Sequence, residues 1–533
     1  MTGTDLDDRT GVDVRTPRRF PWLGVAAGWI AALAGLTAAQ LVAAFGFTIA
    51  TPLIVVGSVF IDHVPTWSKE FATKTFGTHD KVVLGLGMGV AVLVLAGIVG
   101  VLSVRRRSLA WLALAIAAIG AWAASTRRDF APADLVPSIV AGVVAALVLR
   151  WLAGRAADAV TRLDHGVIVP AERLDPDGRR RFVSAAVLTL AGTAILGAVS
   201  RIDFGAAKAV SAARAALKLP QPKTLAGPAG TDFATAIRGA STWAIPNDSF
   251  YRIDTALAVP RIDPTTWQLK IHGMVDKELT LNLDDLIKRD PTFAWVTLTC
   301  VSNPVGGDLI GNAQWSGTRI APILAEAGIR AGADAVLQTS ADGFTVGTPL
   351  EALTDDRNAL LAYGMNGQPL PIEHGFPVRM VVPGLYGYVS ATKWLVDLEV
   401  TKFDQFEAYW TKRGWGAKGP IKTESRIDTP TGGGAKAGDV EIAGVAWAQH
   451  TGIAGVEVRV GEDQPWQRAT LAAHPIKDTW VRWHWTWKAA NPGDYVLQCR
   501  ATDVTGYTQT ADRADVLPDG ATGWHTVTVR VEV

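Results

Sequence analysis

The sequence predicts three successive parts: an N-terminal helical membrane anchor, an α+β domain, and a C-terminal immunoglobulin-like β-sandwich. Three observations predict this. Long uncharged stretches are confined to the first ~200 residues. The middle mixes short strands with short helical pieces. The last hundred residues alternate apolar and polar side chains, with turns at regular spacing. The 533 residues carry a formal charge of +1, with 49% hydrophobic and only 19% charged residues, and the mean hydropathy is +0.19. A soluble chain usually carries about a quarter charged residues. The deficit excludes a disordered chain, a coiled coil and a polybasic nucleic-acid binder. The two cysteines, Cys300 and Cys499, are far apart and form no CxxC pair, which argues against a disulfide framework or a structural zinc site.

The anchor is assigned to residues 1–203. An uncharged run extends from Phe20 to Ile61, and further apolar stretches cover Val82–Val104, Ser108–Thr126, Leu135–Leu149 and Phe182–Ser200. Each is near the ~17–25 residues that a helix needs to cross a bilayer. The first run holds either one span, about Trp22–Phe45, with an interfacial piece ending near Ile61, or two tight spans. Arg15, Arg18 and Arg19, then Arg105–Arg107, then Arg155, Arg162 and Arg179–Arg181 form the basic segments. Five spans with a cytoplasmic N-terminus place all three inside and everything after Ser200 outside, leaving Arg127 and Arg128 as a minor violation. Six spans reverse the C-terminal side.

Gly178-Arg179-Arg180-Arg181-Phe182-Val183 resembles a twin-arginine export signal. It also reads as an ordinary positive-inside cluster, and both readings give the same orientation. No histidine and no mid-span acid or base lies in a predicted span, so transmembrane haem and an ion path are not expected. Gly85, Gly87 and Gly89 are expected to serve helix packing.

Residues 204–245 form a connection. Ala206–Leu219, with Lys208, Arg214 and Lys218, is expected to be a helix at the membrane surface, followed by a Pro/Gly linker at Pro220–Gly230. The α+β domain occupies 246–425, with strands at Trp267–His272, Phe293–Thr299 and Val378–Val382 and helices at Leu283–Lys288 and Ile320–Glu326. A break at Pro430–Gly434 opens the sandwich at 430–533, with strands around Val456–Val460, Tyr495–Cys499 and Val527–Val531.

Four patches of the middle domain carry the chemistry. They are Asn247–Asp254 with Pro260–Pro264 and Trp267–Gly273; Thr297–Asn303 with Ile310–Gly317; Ser340–Val346 with Pro349-Leu350; and Glu373–Gly384 ending in Lys393-Trp394-Leu395. In this order they resemble the molybdopterin-binding domain of the sulfite oxidase family. The segment that follows is similar to that family's dimerisation domain, through Gly444–Trp447, Val456–Val458 and Arg500–Asp503. The whole resembles the actinobacterial, membrane-anchored type, and the likeness covers about Pro246–Val533.

The resemblance implies a molybdenum–molybdopterin cofactor with Cys300 as its protein thiolate ligand. A thiolate is a soft ligand suited to such a metal. It further implies that Asn247, Phe250 and Tyr251 line the pterin, and that Arg252 faces the cofactor or an anionic substrate. His374 and Arg379 would contact the cofactor, the arginine at its phosphate. Ser390, Ala391, Thr392 and Lys393 would close the pocket, and Trp315 would wall the substrate.

The chain also departs from the pattern. Sulfite oxidases follow the ligand cysteine with Ala-Gly-Asn-Arg-Arg, whereas this chain has Val301-Ser302-Asn303-Pro304-Val305. Phe344 stands where a pocket tyrosine is expected, and Arg252-Ile253-Asp254 replaces Arg-Asn-His. A less cationic pocket makes sulfite a doubtful substrate.

The expected function is oxygen-atom transfer on a small substrate at the extracytoplasmic face. Electrons would be exchanged with a separate redox partner, since no fused haem domain is visible. The expected associates are membrane lipid and a second copy of the chain, without nucleic acid. One alternative is reduction of S-oxides of the methionine sulfoxide kind. Another is a non-catalytic surface protein with a degenerate cofactor domain. Metal content separates the last from the other two.

Overall fold

The computed structural model describes residues 21–45, 51–65, 68, 75, 80–127, 130–158, 176–200, 206–223, 233, 237–431, 434–473 and 476–533. Arg15, Arg18, Arg19, Arg128, Arg162, most of the linker and part of the break at 430–434 lie outside these residues. The chain divides into two compact units, Met1–Ala206 and Ala207–Val533.

The first unit is helical: α1 (Pro21–Phe45), α2 (Pro52–His63), α3 (Asp80–Arg105), α4 (Leu112–Ser125), α5 (Val136–Asp158) and α6 (Pro176–Ser200). Among the described residues, five segments are long and apolar enough to cross a membrane: Trp22–Phe45, Lys81–Arg105, Arg107–Ser125, Pro132–Asp158 and Asp177–Ser200. The fourth runs well past the expected Leu149, carrying Arg150 and Arg155 on its last turns. Of the alternatives for the first run, the structure takes one long helix followed by the twelve-residue α2, too short to span. The twin-arginine-like residues Arg179–Arg181 lie exposed in the first turns of α6.

α1 packs against α3, α5 and α6, and α2 against α4. The packing glycines are not the expected ones. A side chain at Gly85, Gly87 or Gly89 would meet nothing within 4 Å, whereas one at Gly28 or Gly100 would collide with the backbone of the facing helix. Close backbone approach at small residues is the usual basis of helix association in lipid. Large apolar side chains such as Leu86, Ile98, Trp122 and Leu188 point outward, as a lipid-facing surface requires.

The second unit begins with α7 (Ala206–Ala216). It docks on this unit's own domain. Arg214 donates from Nε and Nη2 to the carbonyls of Leu370 and Pro369 at 2.5 and 2.6 Å, and Val210 is buried in the core.

Two sheets follow. One has the order β2-β1-β10-β5-β6, built from β1 (Gln268–Gly273), β2 (Leu279–Asn282), β5 (Ala335–Ser340), β6 (Thr345–Pro349) and β10 (Leu395–Thr401). The other runs β3 (Thr292–Thr299), β4 (Ile310–Arg319), β7 (Leu360–Met365), β8 (Gln368–Pro369), with β9 (Arg379–Val381) pairing β7. The short helix α8 (Leu283–Ile287) starts where Asn282 and Asp285 cap each other reciprocally at 2.9 Å.

The C-terminal region is a pair of sheets that share one core. The first is β11 (Glu424–Thr429), β13 (Gly438–Trp447), β17 (Val481–Ala489) and β16 (Thr470–Leu471). The second is β12 (Ala435–Lys436), β19 (His525–Glu532), β18 (Gly493–Asp503), β14 (Ile453–Val460) and β15 (Gln467–Arg468). Ile442 and Trp483 from one sheet meet Val456, Leu497 and Val529 from the other, which is the alternation that the sequence carried. Cys499 is fully buried there, as a strand residue.

Candidate active site

Cys300 lies one residue beyond β3, where the strand ends in a turn. Its N–H donates to the Leu309 carbonyl at 2.9 Å, and its carbonyl accepts from Asn303 N at 3.1 Å. Asn303 Oδ1 accepts the Leu309 N–H at 2.9 Å. The loop from 300 to 309 is thus closed upon itself. Asn303, the part of the family pattern that remains here, supports the loop through its Oδ1.

β3 is an edge strand, and an uncovered edge is a liability. The C-terminal region covers it. Thr297 N–H donates to the Asp478 carbonyl at 3.0 Å. Gln449 Nε2 donates to the Thr297 carbonyl at 3.2 Å and to Thr299 Oγ1 at 2.9 Å. Trp480 N–H reaches Thr297 Oγ1 at 2.8 Å, and Arg426 donates from Nη1 to the Gly307 carbonyl at 2.6 Å. The strand and loop that carry the cysteine are braced from a different sheet system.

Cys300 opens into a pocket of about 120 Å³, partly open to solvent. Phe250, Tyr251, Arg252, Cys300, His374, Arg379, Ala391 and Lys393 all line it. Burial pushes the Cys300 thiol up, against hydrogen bonding from Ser302. Such a thiol becomes a ligand by giving its proton up on metal binding.

Arg379, on β9, is 5% exposed. Its Nη1 donates to the His374 carbonyl at 3.1 Å, its Nη2 to the Ala391 carbonyl at 3.3 Å and its Nε to the Met380 carbonyl at 3.4 Å. Among the described residues, no carboxylate forms an ion pair with it. Burial pushes its titration down to about 10. A buried cation held by carbonyls and by the Trp315 ring, 5.0 Å away, is costly unless an anion arrives.

His374 is buried and donates from Nε2 to the Asn247 carbonyl at 3.1 Å. That acceptor leaves Nδ1 with the lone pair. Burial and then Arg379 lower its titration to about 4, so the ring is neutral. The turn carrying it ends at Gly375 with φ +112°. A Cβ there would sit 3.1 Å from Arg379 Cβ and Lys393 Cα, so glycine alone lets the three residues converge. Phe250 stacks on Tyr251 at 5.2 Å and meets His374 edge-on at 5.7 Å. A Cβ on Gly311 would lie 2.8 Å from the Phe250 ring. The Tyr251 hydroxyl is pushed up by burial and then by Cys300, against Arg379, and stays protonated.

Lys393 lies 2.8 Å from Asp254 Oδ2, and Arg252 Nε lies 2.9 Å from the same oxygen. Burial lowers the Lys393 ammonium to about 8, against the pull of Asp254. Phe344, Tyr388, Trp410 and Trp415 form the remaining wall. Trp410 and Trp415 are 6.1 Å apart, and Tyr388 and Trp415 5.9 Å.

Four expected site residues are corrected. Trp315 does not wall the pocket: it is fully buried, its Nε1 donates to the Val296 carbonyl at 3.1 Å, and it backs Phe250 and Arg379 from behind. Asn247 does not line the pocket but positions His374 through its carbonyl, while its amide is engaged with Met365 and Asn366. Ser390 is buried with its hydroxyl shared between the Leu385 and Tyr386 carbonyls. Thr392 is buried with an unpartnered hydroxyl. The residues missed were Asp254 and Asp342 as pocket acids and Tyr388, Trp410 and Trp415 as wall.

These residues fit a molybdopterin. The pocket offers a thiol, a neutral imidazole, a phenol donor and a buried guanidinium without an ion-pair partner among the described residues.

Comparison with known proteins agrees. Residues 256–410 match the oxidoreductase molybdopterin binding domain. The uncharacterized oxidoreductase YuiH of Bacillus subtilis is 35% identical over 158 residues, covering 30% of this chain and 76% of that protein. Mitochondrial sulfite oxidase of Mus musculus is 30% identical over 347 residues, covering 54% of this chain and 61% of that protein. The chain belongs to the sulfite oxidase family of molybdopterin oxidoreductases. It spans about six-tenths of the length of the mouse protein. A weaker structural likeness, with TM-score 0.48 and 23% identity, is to the sulfane dehydrogenase SoxCD from Paracoccus pantotrophus, covering 55% of this chain and 84% of that one.

Proposed function

We propose that this family member is a membrane-anchored molybdenum enzyme that transfers an oxygen atom between water and a small substrate. In the oxidising direction the substrate gains one oxygen from water, and two electrons and two protons are released; reduction is the reverse. A separate redox partner takes or supplies the electrons. When bound, a molybdenum–pterin group supplies the two-electron oxygen chemistry.

The chain's own residues do the rest. Cys300 would offer the protein sulfur, Arg379 would hold the pterin phosphate, and His374 Nδ1 would accept a hydrogen bond from the cofactor. Tyr251 donates from its protonated hydroxyl, and the aromatic wall limits water. The observation that carries this reading is the cysteine thiol sharing one pocket with a buried arginine that has no ion-pair partner among the described residues.

The five long apolar helices support an anchor in the cell membrane. The basic segments at Arg105–Arg107, Arg155 and Arg179–Arg181 favour a cytoplasmic N-terminus and an extracytoplasmic catalytic domain. We assign the C-terminal sheets to an immunoglobulin-like sandwich that pairs two copies of the chain.

The test is elemental analysis of protein purified from a host that makes the cofactor, beside Cys300→Ala. The wild type should carry molybdenum, and the variant should fold but lack redox activity. A metal-free wild type or a fully active variant overturns the proposal.

A further inference from the structure

We infer that Asp254 is a specificity-determining residue that neutralises the pocket's substrate-facing cations, so that the pocket takes an uncharged oxo-compound with an apolar or aromatic substituent rather than a small oxyanion. The inference rests on the proposed function above and names its substrate class.

Three cations line the pocket: Arg252, Lys393 and Arg379. A small oxyanion such as sulfite needs some of them free. Arg379 is wrapped by the carbonyls of His374, Met380 and Ala391 and is assigned to the cofactor. The other two converge on one carboxylate. Asp254 Oδ2 accepts from Lys393 Nζ at 2.8 Å and from Arg252 Nε at 2.9 Å. The Asp254 side chain is 4% exposed and that of Lys393 10%, so their pair is buried and little screened by solvent, whereas Arg252 joins it from the pocket mouth with 42% of its side chain exposed.

A second acid, Asp342, lines the same pocket beside Asp254. Burial pushes the Asp342 carboxyl up, toward its neutral form, so the offset of Arg252 and Lys393 falls chiefly to Asp254. The remaining wall is aromatic: Phe344, Tyr388, Trp410 and Trp415. Phe344 brings no hydroxyl, and the Tyr388 hydroxyl is already donated to the Gly416 carbonyl at 2.6 Å. Such a wall favours apolar and aromatic groups.

The test is calorimetric titration of the molybdenum-loaded protein with two probes, sulfate and methyl phenyl sulfoxide. The wild type should bind the sulfoxide more tightly than sulfate. Asp254→Asn should tighten sulfate binding by about tenfold or more, equal to about 1.4 kcal/mol, and change sulfoxide binding less than about threefold. Asp254→Glu, which keeps the charge, should resemble the wild type. Unchanged sulfate affinity in Asp254→Asn overturns the inference. If that variant does not fold, the wild-type ranking decides, and tighter sulfate binding overturns it. Metal analysis of the same samples reads the proposed function separately. A metal-free chain would count against that function, while its sulfate titration would still report the charge balance, since Asp254, Arg252 and Lys393 belong to the chain.

Discussion

Replacing Arg379 by methionine separates folding from cofactor retention. A guanidinium ordinarily titrates near 12.5, and burial lowers this one to about 10. The drop corresponds to about 3 kcal/mol of unfavourable burial in the cofactor-free chain. Arg379→Met relieves that burden but loses three hydrogen bonds, at 3.1, 3.3 and 3.4 Å, to carbonyls. Bonds of this kind contribute about 1 kcal/mol each. The two effects nearly cancel, so cofactor-free Arg379→Met should unfold within about 2 kcal/mol of the wild type.

Binding of the cofactor should not survive so well. An opposite charge at about 4 Å in a medium of effective dielectric 20 contributes about 4 kcal/mol, or between two and three orders of magnitude in affinity. Urea denaturation of the cofactor-free proteins reads the first quantity, and pterin content after purification reads the second. Arg379→Lys should fall between, since it keeps the charge but not the fork. Wild-type pterin content in Arg379→Met, or a folding loss above about 4 kcal/mol, would refute the reasoning.

Other outcomes follow from the same geometry. Gln449→Ala removes two buried bonds to β3 and should destabilise the chain by about 2–4 kcal/mol while lowering metal content, read by denaturation and elemental analysis. Gly375→Ala forces a Cβ into a left-handed position beside Arg379 and Lys393 and should cost about 1–3 kcal/mol together with pterin retention. Glu424 on β11 is buried, and burial pushes its carboxyl up to about 8. It therefore binds a proton in the folded chain that the unfolded chain releases near 4.5, so its contribution to stability falls as pH rises through that window; Glu424→Gln should remove this slope in denaturation series between pH 4.5 and 8. A reporter fused after Val533 should be active outside the cytoplasm, and cytoplasmic activity would contradict the proposed orientation.

The apolar helices of the first unit were legible because their signal is local. Uncharged runs bounded by Lys81, Arg105 and Arg107 mark helix ends closely, while the reach of α5 past Arg150 and the start of α6 at Pro176, before Arg181, were underestimated. Strands such as β1, β3 and β9 were legible from short apolar stretches beside turn residues. Cys300 was legible because four patches in order surround it.

What failed was long-range. Lys393 meets Asp254 across 139 positions, and Gln449 meets Thr299 across 150; no spacing rule predicts either. Trp315 was misplaced because β4 is buried along nearly its whole length. A strand covered on both faces has no alternation to tell a pocket wall from a core residue. Trp410 and Trp415 lie beyond the motifs and reach the pocket only through the fold. The glycines of α3 showed the same limit: composition marks a packing helix but not which of its faces packs.

X-ray absorption at the molybdenum edge tests the central assignment most directly, applied to the wild type and to Cys300→Ser. The account predicts a molybdenum signal in the wild type, with a shell of sulfur neighbours that loses one sulfur in the variant. An identical sulfur shell in both proteins, or no molybdenum in the wild type, would contradict it.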